Sequence, residues 1–224
     1  MSSVMKTVAR WVFILCLPVL LVTASISLAV NSGWLYRYGF ETYGISRVTG
    51  LAESELERAA DGLIDYFNSG EEFIDLTVTK GGKPFQLFNE REVVHLQDVR
   101  GLIRLGYGVL LGTLAYGLVF AGVSLFWWHD RRRLARGMVG GGGLALLVMV
   151  ALAILILFDF DRFFLQFHLL SFANDFWMLD PTRDYLIMLF PRGFWFDAAM
   201  FCAVVTAALA LALGGAGWYL KRKN

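Results

Sequence analysis

Arg131-Arg132-Arg133-Leu134-Ala135-Arg136 is the stretch whose reading decides the fold. It separates two apolar runs, at about 102–128 and 138–158. Each is near the roughly 20 residues that a helix needs to cross a bilayer. Short loops rich in Lys and Arg stay in the cytoplasm, so this loop sets the inside face. Working outward, two more runs lie at about 11–30 and 196–219. Lys6 and Arg10 precede the first, and Lys221, Arg222 and Lys223 follow the last. Four spans place all three basic clusters on one side. The chain therefore reads as an all-α integral membrane protein, a four-transmembrane-helix bundle with a small extracytoplasmic α+β cap. Both termini are expected in the cytoplasm.

The expected segments are 1–30, a first transmembrane helix; 31–101, the cap; 102–128, a second span; 129–137, the cytoplasmic basic loop; 138–158, a third span; 159–195, an outer interfacial segment; and 196–224, the fourth span with its tail. Composition agrees: 57% of the 224 residues are hydrophobic and 17% charged, against about 25% charged in a soluble domain. The first run is longer than the 7–15 apolar residues of a signal-peptide core, which favours an uncleaved anchor despite the small residues Ala24-Ser25-Ile26-Ser27. Cys16 and Cys202 both fall inside runs and read as apolar packing residues rather than a disulfide. Pro18 is expected to kink the first span. Gly108 with Gly112, and Gly137 with Gly141, form small-xxx-small pairs that suit close helix packing.

The cap has its own pattern. Ser54 with Glu57 fits a capping box, and Leu56, Ala60, Leu63, Ile64 and Phe67 recur at helical spacing before Gly70. Residues 73–79 and 85–88 alternate like strands around a Gly81-Gly82 turn. Asn89 with Glu92 starts another helix, which carries His95 and Asp98 into the second span. Residues 158–181 are too aromatic for a solvated loop and too polar for a span. They are expected to lie at the outer headgroup level, in part re-entrant. Nothing in the chain suggests nucleic-acid binding, a phosphate-cradling loop or an internal repeat.

Three histidines remain to be placed. His129 adjoins the basic loop and reads as a solvated interface residue. His95 and Asp98 share a helix face, where the carboxylate can orient the imidazole. His168 precedes Ser171 by one turn and Asn174-Asp175 by two. A zinc site would need both His and carboxylates, but no metal motif is present and none is expected. Ser171 lacks a nucleophile-elbow motif, which disfavours an acyl-enzyme hydrolase. General acid–base catalysis by one or both histidines is left beside the plainer reading of two interface or capping residues. A non-catalytic sensor, scaffold or assembly factor is the rival class, and a lipid hydrolase using Ser171 is a third reading.

The residues also carry a resemblance. His95-Leu96-Gln97-Asp98-Val99-Arg100, then Phe167-His168, Asn174-Asp175-Phe176-Trp177, Asp180-Pro181, Asp184-Tyr185-Leu186-Ile187 and Pro191, resemble the lipoprotein intramolecular transacylases and their wider bacterial integral membrane protein family. The order of spans agrees over essentially the whole chain. Arg100 stands where the family has Lys, and Arg192 where it has an acidic residue. The resemblance implies a bacterial cell-membrane acyltransferase acting on diacylated lipoproteins in the outer leaflet. It implies transfer of the sn-2 acyl chain of the diacylglyceryl-cysteine to its α-amine, giving a lyso-form lipoprotein. No cofactor is needed, because ester-to-amide conversion is downhill. On this reading His168 is the general base, and His95, oriented by Asp98, the second acid–base group. Asn174 or Arg100 would stabilise the oxyanion, with Asp175 in support. Phe163, Phe164, Phe167 and Trp177 would line a lateral route for membrane lipid. Cysteine labelling should find residues 129–136 inside and 60–95 outside; labelling of 131–136 from outside would overturn the four-span topology.

Overall fold

The structure, a computed structural model, describes residues 3–222, so Lys223 of the last basic cluster lies outside the described residues. In chain order the elements are α1 (Ser3–Val30), α2 (Gly33–Thr42), α3 (Ile45–Thr49), α4 (Glu53–Asn68), β1 (Thr77–Lys80), β2 (Lys83–Gln86) and α5 (Glu90–Gly122), which ends in a π-helical turn (Val123–Trp127). There follow α6 (Arg131–Phe158), α7 (Phe160–Ser171), α8 (Tyr185–Leu189) and α9 (Arg192–Arg222). Among the described residues four helices are long and apolar enough to cross a membrane: Ser3–Val30, Glu90–Trp127, Arg131–Phe158 and Arg192–Arg222. The fold is thus an all-α, four-span membrane architecture with one small sheet.

The chain divides into two compact units. The first gathers the described parts of Met1–Ser27, Gly106–Phe158 and Met200–Asn224. Its core is Phe13, Leu17, Phe120 and Leu134, with the Phe13 and Phe120 rings stacked 4.4 Å apart. Glycines on α6 allow this closeness. A Cβ at Gly141 would lie 2.4 Å from the Leu17 side chain, and one at Gly137 2.7 Å from the Phe13 ring. Gly142 similarly faces the Ala210 carbonyl at 2.8 Å on α9. A buried hydroxyl pair, Ser25 with Thr206 at 2.8 Å, adds a polar link where few alternatives to internal hydrogen bonding exist. Cys16 and Cys202 are free thiols. The glycine reading needs one correction. Gly108 and Gly112 are exposed and nothing lies within 4 Å of their Cβ positions, because α5 packs through Tyr116, Gly117 and Phe120 instead. His129 is exposed, as expected, in the left-handed region at φ 51° between the π turn and α6.

The second unit comprises Leu28–Leu105 and Asp159–Ala199. α4 buries Leu56, Ala59, Ala60, Leu63, Tyr66 and Phe67 on one face. Its cap differs from the expected box: the helix starts after Ala52, which makes no side-chain cap, and Ser54 already lies inside the helix. The hairpin is shorter and shifted, pairing Thr77 with Gln86 and Lys80 with Lys83. Gly81 and Gly82 turn it at φ 59° and 78°, the left-handed pair that a type I′ hairpin turn requires. α2 and α3 were not foreseen. α2 buries Leu35, Tyr36, Gly39 and Phe40, and its Gly39 admits the Phe194 ring, which a Cβ would meet at 2.4 Å. The 159–195 segment begins with a regular helix, α7, capped by the Asp159 carboxylate on the Arg162 amide at 3.0 Å.

Gly141→Ala should cost about 1–3 kcal/mol by overpacking against Leu17. Gly108→Ala should be neutral or slightly stabilising through helix propensity. Thermal unfolding of the detergent-solubilised protein reads both, and equal Tm values for the two variants would contradict this packing.

Candidate active site

The site is built in the second unit from the start of α5, from α7, and from the loop that follows α7. The first turns of α5 carry Glu90, Arg91, Glu92, Asp98, Arg100 and Arg104, so the section able to span begins beyond them and His95 lies outside it. The expected capping box is present: Asn89 N–H donates to Glu92 Oε2 at 2.8 Å, and Glu92 N–H to Asn89 Oδ1 at 3.1 Å. Glu92 is only 1% exposed, and its Oε1 also accepts the Leu186 amide at 2.6 Å. Asn89 Nδ2 donates to Asp184 Oδ1 at 2.9 Å, and Asp184 Oδ2 accepts the Asp180 amide at 2.7 Å. A buried carboxylate network thus fixes 180–186 to the head of α5. Sequence reading missed the roles of Glu92 and Asp184 beyond the cap; the Asn-x-x-Glu spacing was their only signal.

His95 and His168 come together, with ring centroids 6.2 Å apart. Both are buried, and Phe172 touches both rings, at 5.0 Å from His95 and 5.6 Å from His168. Phe164, Phe167 and Trp177 complete the aromatic wall around His168, at 4.3, 5.3 and 5.0 Å. Phe163 does not join them; its ring packs on Phe160 at 6.4 Å. Large apolar side chains nearby stay exposed: Phe167, Leu169, Leu170, Phe176 and Met178.

A hydrogen bond fixes the tautomer of His168. His168 Nδ1 lies 2.8 Å from the Phe164 carbonyl. A carbonyl only accepts, so Nδ1 carries the proton and Nε2 presents its lone pair. Burial pushes the His168 pKa below the ordinary imidazole value, partly offset by that bond. Burial, with the nearby His168, lowers His95 further, to about 4, against an upward pull from Asp98. Both rings are therefore neutral near pH 7.

Four expected supporting residues sit differently from their predicted roles. Asp98 does not hold the His95 ring: its Oδ2 accepts Asn174 Nδ2 at 2.8 Å, while His95 Nδ1 is buried with no hydrogen-bond partner. Asp98 reaches His95 through charge alone. Asn174 is engaged twice, because its Oδ1 also accepts the Phe176 amide at 3.1 Å. Asp175 contributes its backbone carbonyl, which accepts from Arg91 and from the Met178 amide, the latter at 3.1 Å. Arg100 points elsewhere, donating to the Ser69 and Glu72 carbonyls at 3.0 and 3.4 Å and lying 5.1 Å from the Tyr66 ring centroid. Five residues on from His95, it occupies another face of α5 and is no oxyanion donor in this arrangement. Ser171 makes no hydrogen bond to His168 among the described residues. No cluster of three or more His, Cys, Asp or Glu suited to a metal ion occurs among them either.

These features define a class: a multi-pass membrane protein with a neutral histidine pair, walled by aromatics and bordered by exposed apolar side chains. The family model for lipoprotein intramolecular transacylase Lit matches residues 11–195. The chain belongs to that family, and so to the acyltransferases. Among solved structures, the membrane integral lipoprotein intramolecular transacylase Lit from Bacillus cereus is similar at TM-score 0.86 and 20% identity, covering 99% of this chain and 98% of that one. A variant of that protein with a histidine replaced by arginine gives TM-score 0.79 at 20% identity, covering 98% of this chain and 93% of the other. Its alanine counterpart gives TM-score 0.79 at 20% identity, with 98% and 94% covered. At that identity the likeness extends to the fold. Among curated proteins none matches the sequence.

Proposed function

We propose that the chain moves the sn-2 acyl chain of a diacylglyceryl-cysteine onto the α-amine of the same cysteine, in the outer leaflet of the bacterial cytoplasmic membrane, with its termini in the cytoplasm. The observation that carries this reading is the convergence of His95 and His168, 6.2 Å between ring centroids, within reach of one small reacting group. A non-catalytic scaffold gives no reason for two buried neutral imidazoles to meet.

The chemistry follows from their states. The α-amine of a peptide ordinarily titrates near pH ~8 and is largely protonated at neutral pH. Its neutral form attacks the sn-2 ester carbonyl, and His168 Nε2 takes the proton released as the C–N bond forms. The tetrahedral intermediate then breaks its C–O bond. The glycerol oxygen leaves with a proton returned by His168 or relayed through His95. One proton moves from nitrogen to oxygen overall, and no redox partner or cofactor enters the balance. Ester and amine belong to one molecule, so correct placement can supply about 7–11 kcal/mol of the barrier reduction at best. An enzyme nucleophile is unnecessary, which accords with an uncoupled Ser171. Exposed Phe167, Leu169 and Leu170 beside His168 suit a substrate whose acyl chains stay in lipid, since each CH₂ withdrawn from it costs about 0.8 kcal/mol.

With a diacylated lipopeptide in detergent or liposomes, His168→Ala and His95→Ala should each lower N-acyl lyso product at least ~10²-fold, the lower end of a general-base contribution. Ser171→Ala should retain most activity. The rate should fall on acidification, because a base with a depressed pKa is neutral above that value and lost only as pH drops through it. An active double histidine variant, or a dead Ser171→Ala, would overturn the mechanism.

A further inference from the structure

Arg91, His95 and Asp98 are spaced by four and three residues, so they share one face of α5. The two that flank His95 both reach the same short turn. Arg91 Nη2 donates to the Asp175 carbonyl, and its guanidinium carbon lies 6.0 Å from the Phe176 ring centroid. Asp98 Oδ2 accepts from Asn174 Nδ2 at 2.8 Å. Asn174 Oδ1 closes the turn on the Phe176 amide at 3.1 Å. Trp177, the next residue, stands 5.0 Å from the His168 ring. The turn is thus gripped at two adjacent residues, 174 and 175, by side chains one helical turn before and one after His95. Its exit then packs on the other histidine.

We propose that Arg91 and the Asp98–Asn174 pair form a two-point clamp that sets the distance between His95 and His168, making Arg91 a positioning residue for the acyl transfer. The proposal rests on the histidine-pair reading above. It assigns Asp98 a mechanical role rather than that of an acid–base partner, and it gives Arg91 a function that composition and spacing left unnoticed. The asymmetry of the two bonds is informative. The Arg91 bond goes to a backbone oxygen and needs only a donor of suitable reach. The Asp98–Asn174 bond joins two side chains and survives exchange of its partners. A charge-based role for Asp98 would not survive that exchange, because the carboxylate would move off the helix face it shares with His95.

The test compares kcat and KM on a diacylated lipopeptide for variants that insert and purify normally. Arg91→Met should lower kcat about 10–100-fold, the scale of an ångström-level misplacement, with KM little changed. Arg91→Lys should recover a large part of that loss. Asn174→Ala and Asp98→Ala should each be similarly impaired, and the double variant no worse than either, since both remove one bond. The exchange Asp98→Asn with Asn174→Asp should restore kcat to within about fivefold of wild type, the misplacement of the single variants being undone. An unchanged kcat in Arg91→Met, or an exchange variant as poor as Asn174→Ala, overturns the clamp. His95→Ala and His168→Ala, run alongside, separate the two claims: if both are dead while the clamp variants behave as wild type, only the clamp fails. If both stay active, the reading beneath it fails as well.

Discussion

Glu92 is a carboxylate buried to 1% exposure at the head of α5, and its acceptance of the Leu186 amide is the contact on which the second unit hangs. Burying a carboxylate without partners is prohibitively costly, so its oxygens must be met by donors. Backbone amides of Asn89 and Leu186 meet them. That requirement forces a segment nearly a hundred residues downstream to return to the same helix. Asn89 and Asp184 repeat the linkage beside it, and two turns further along α5 the Asn174 amide meets Asp98. The polar head of α5 is therefore a spine to which the 174–186 segment is fastened at several points. His95 sits in the middle of that spine.

The aromatic residues answer a different constraint. An imidazole that acts as a base at neutral pH must stay neutral while remaining near an aqueous surface. Phe164, Phe167, Phe172 and Trp177 exclude water from His168, and the desolvation lowers its pKa. The carbonyl of Phe164, one turn earlier on α7, selects the tautomer. A regular helix thus supplies both the wall and the acceptor, which makes α7 more than an interfacial connector. Of these four aromatic residues, Phe167 alone stays largely exposed.

Much of the fold was legible because membrane spans are written in long apolar runs, and the four runs fall on the four long apolar helices. The Asn89–Glu92 cap was legible from spacing, since a capping box is a local motif. What spacing could not show was partner choice across the chain. Asp98 and His95 share a face, yet the carboxylate meets the side-chain amide of Asn174, 76 positions away, so proximity on a helix misassigned its bond. Arg100 failed for the complementary reason: its face of α5 turns to the Ser69 and Glu72 carbonyls. α2 was missed although Leu35, Tyr36, Gly39 and Phe40 carry a helical period, because its ten residues followed directly on an apolar span. Gly108 and Gly112 matched a packing motif that no neighbour uses.

The central claim, that one lipoprotein donates and receives its own acyl chain without an enzyme-bound intermediate, is tested most directly by a crossover measurement. Two diacylated lipopeptides of different peptide mass, one with an isotopically labelled sn-2 chain, are incubated together with the protein in one membrane. The N-acylated products are then weighed by mass spectrometry. Direct transfer predicts that every labelled N-acyl group stays on the peptide whose ester carried it. Label distributed over both peptides, or released as free fatty acid, would contradict it.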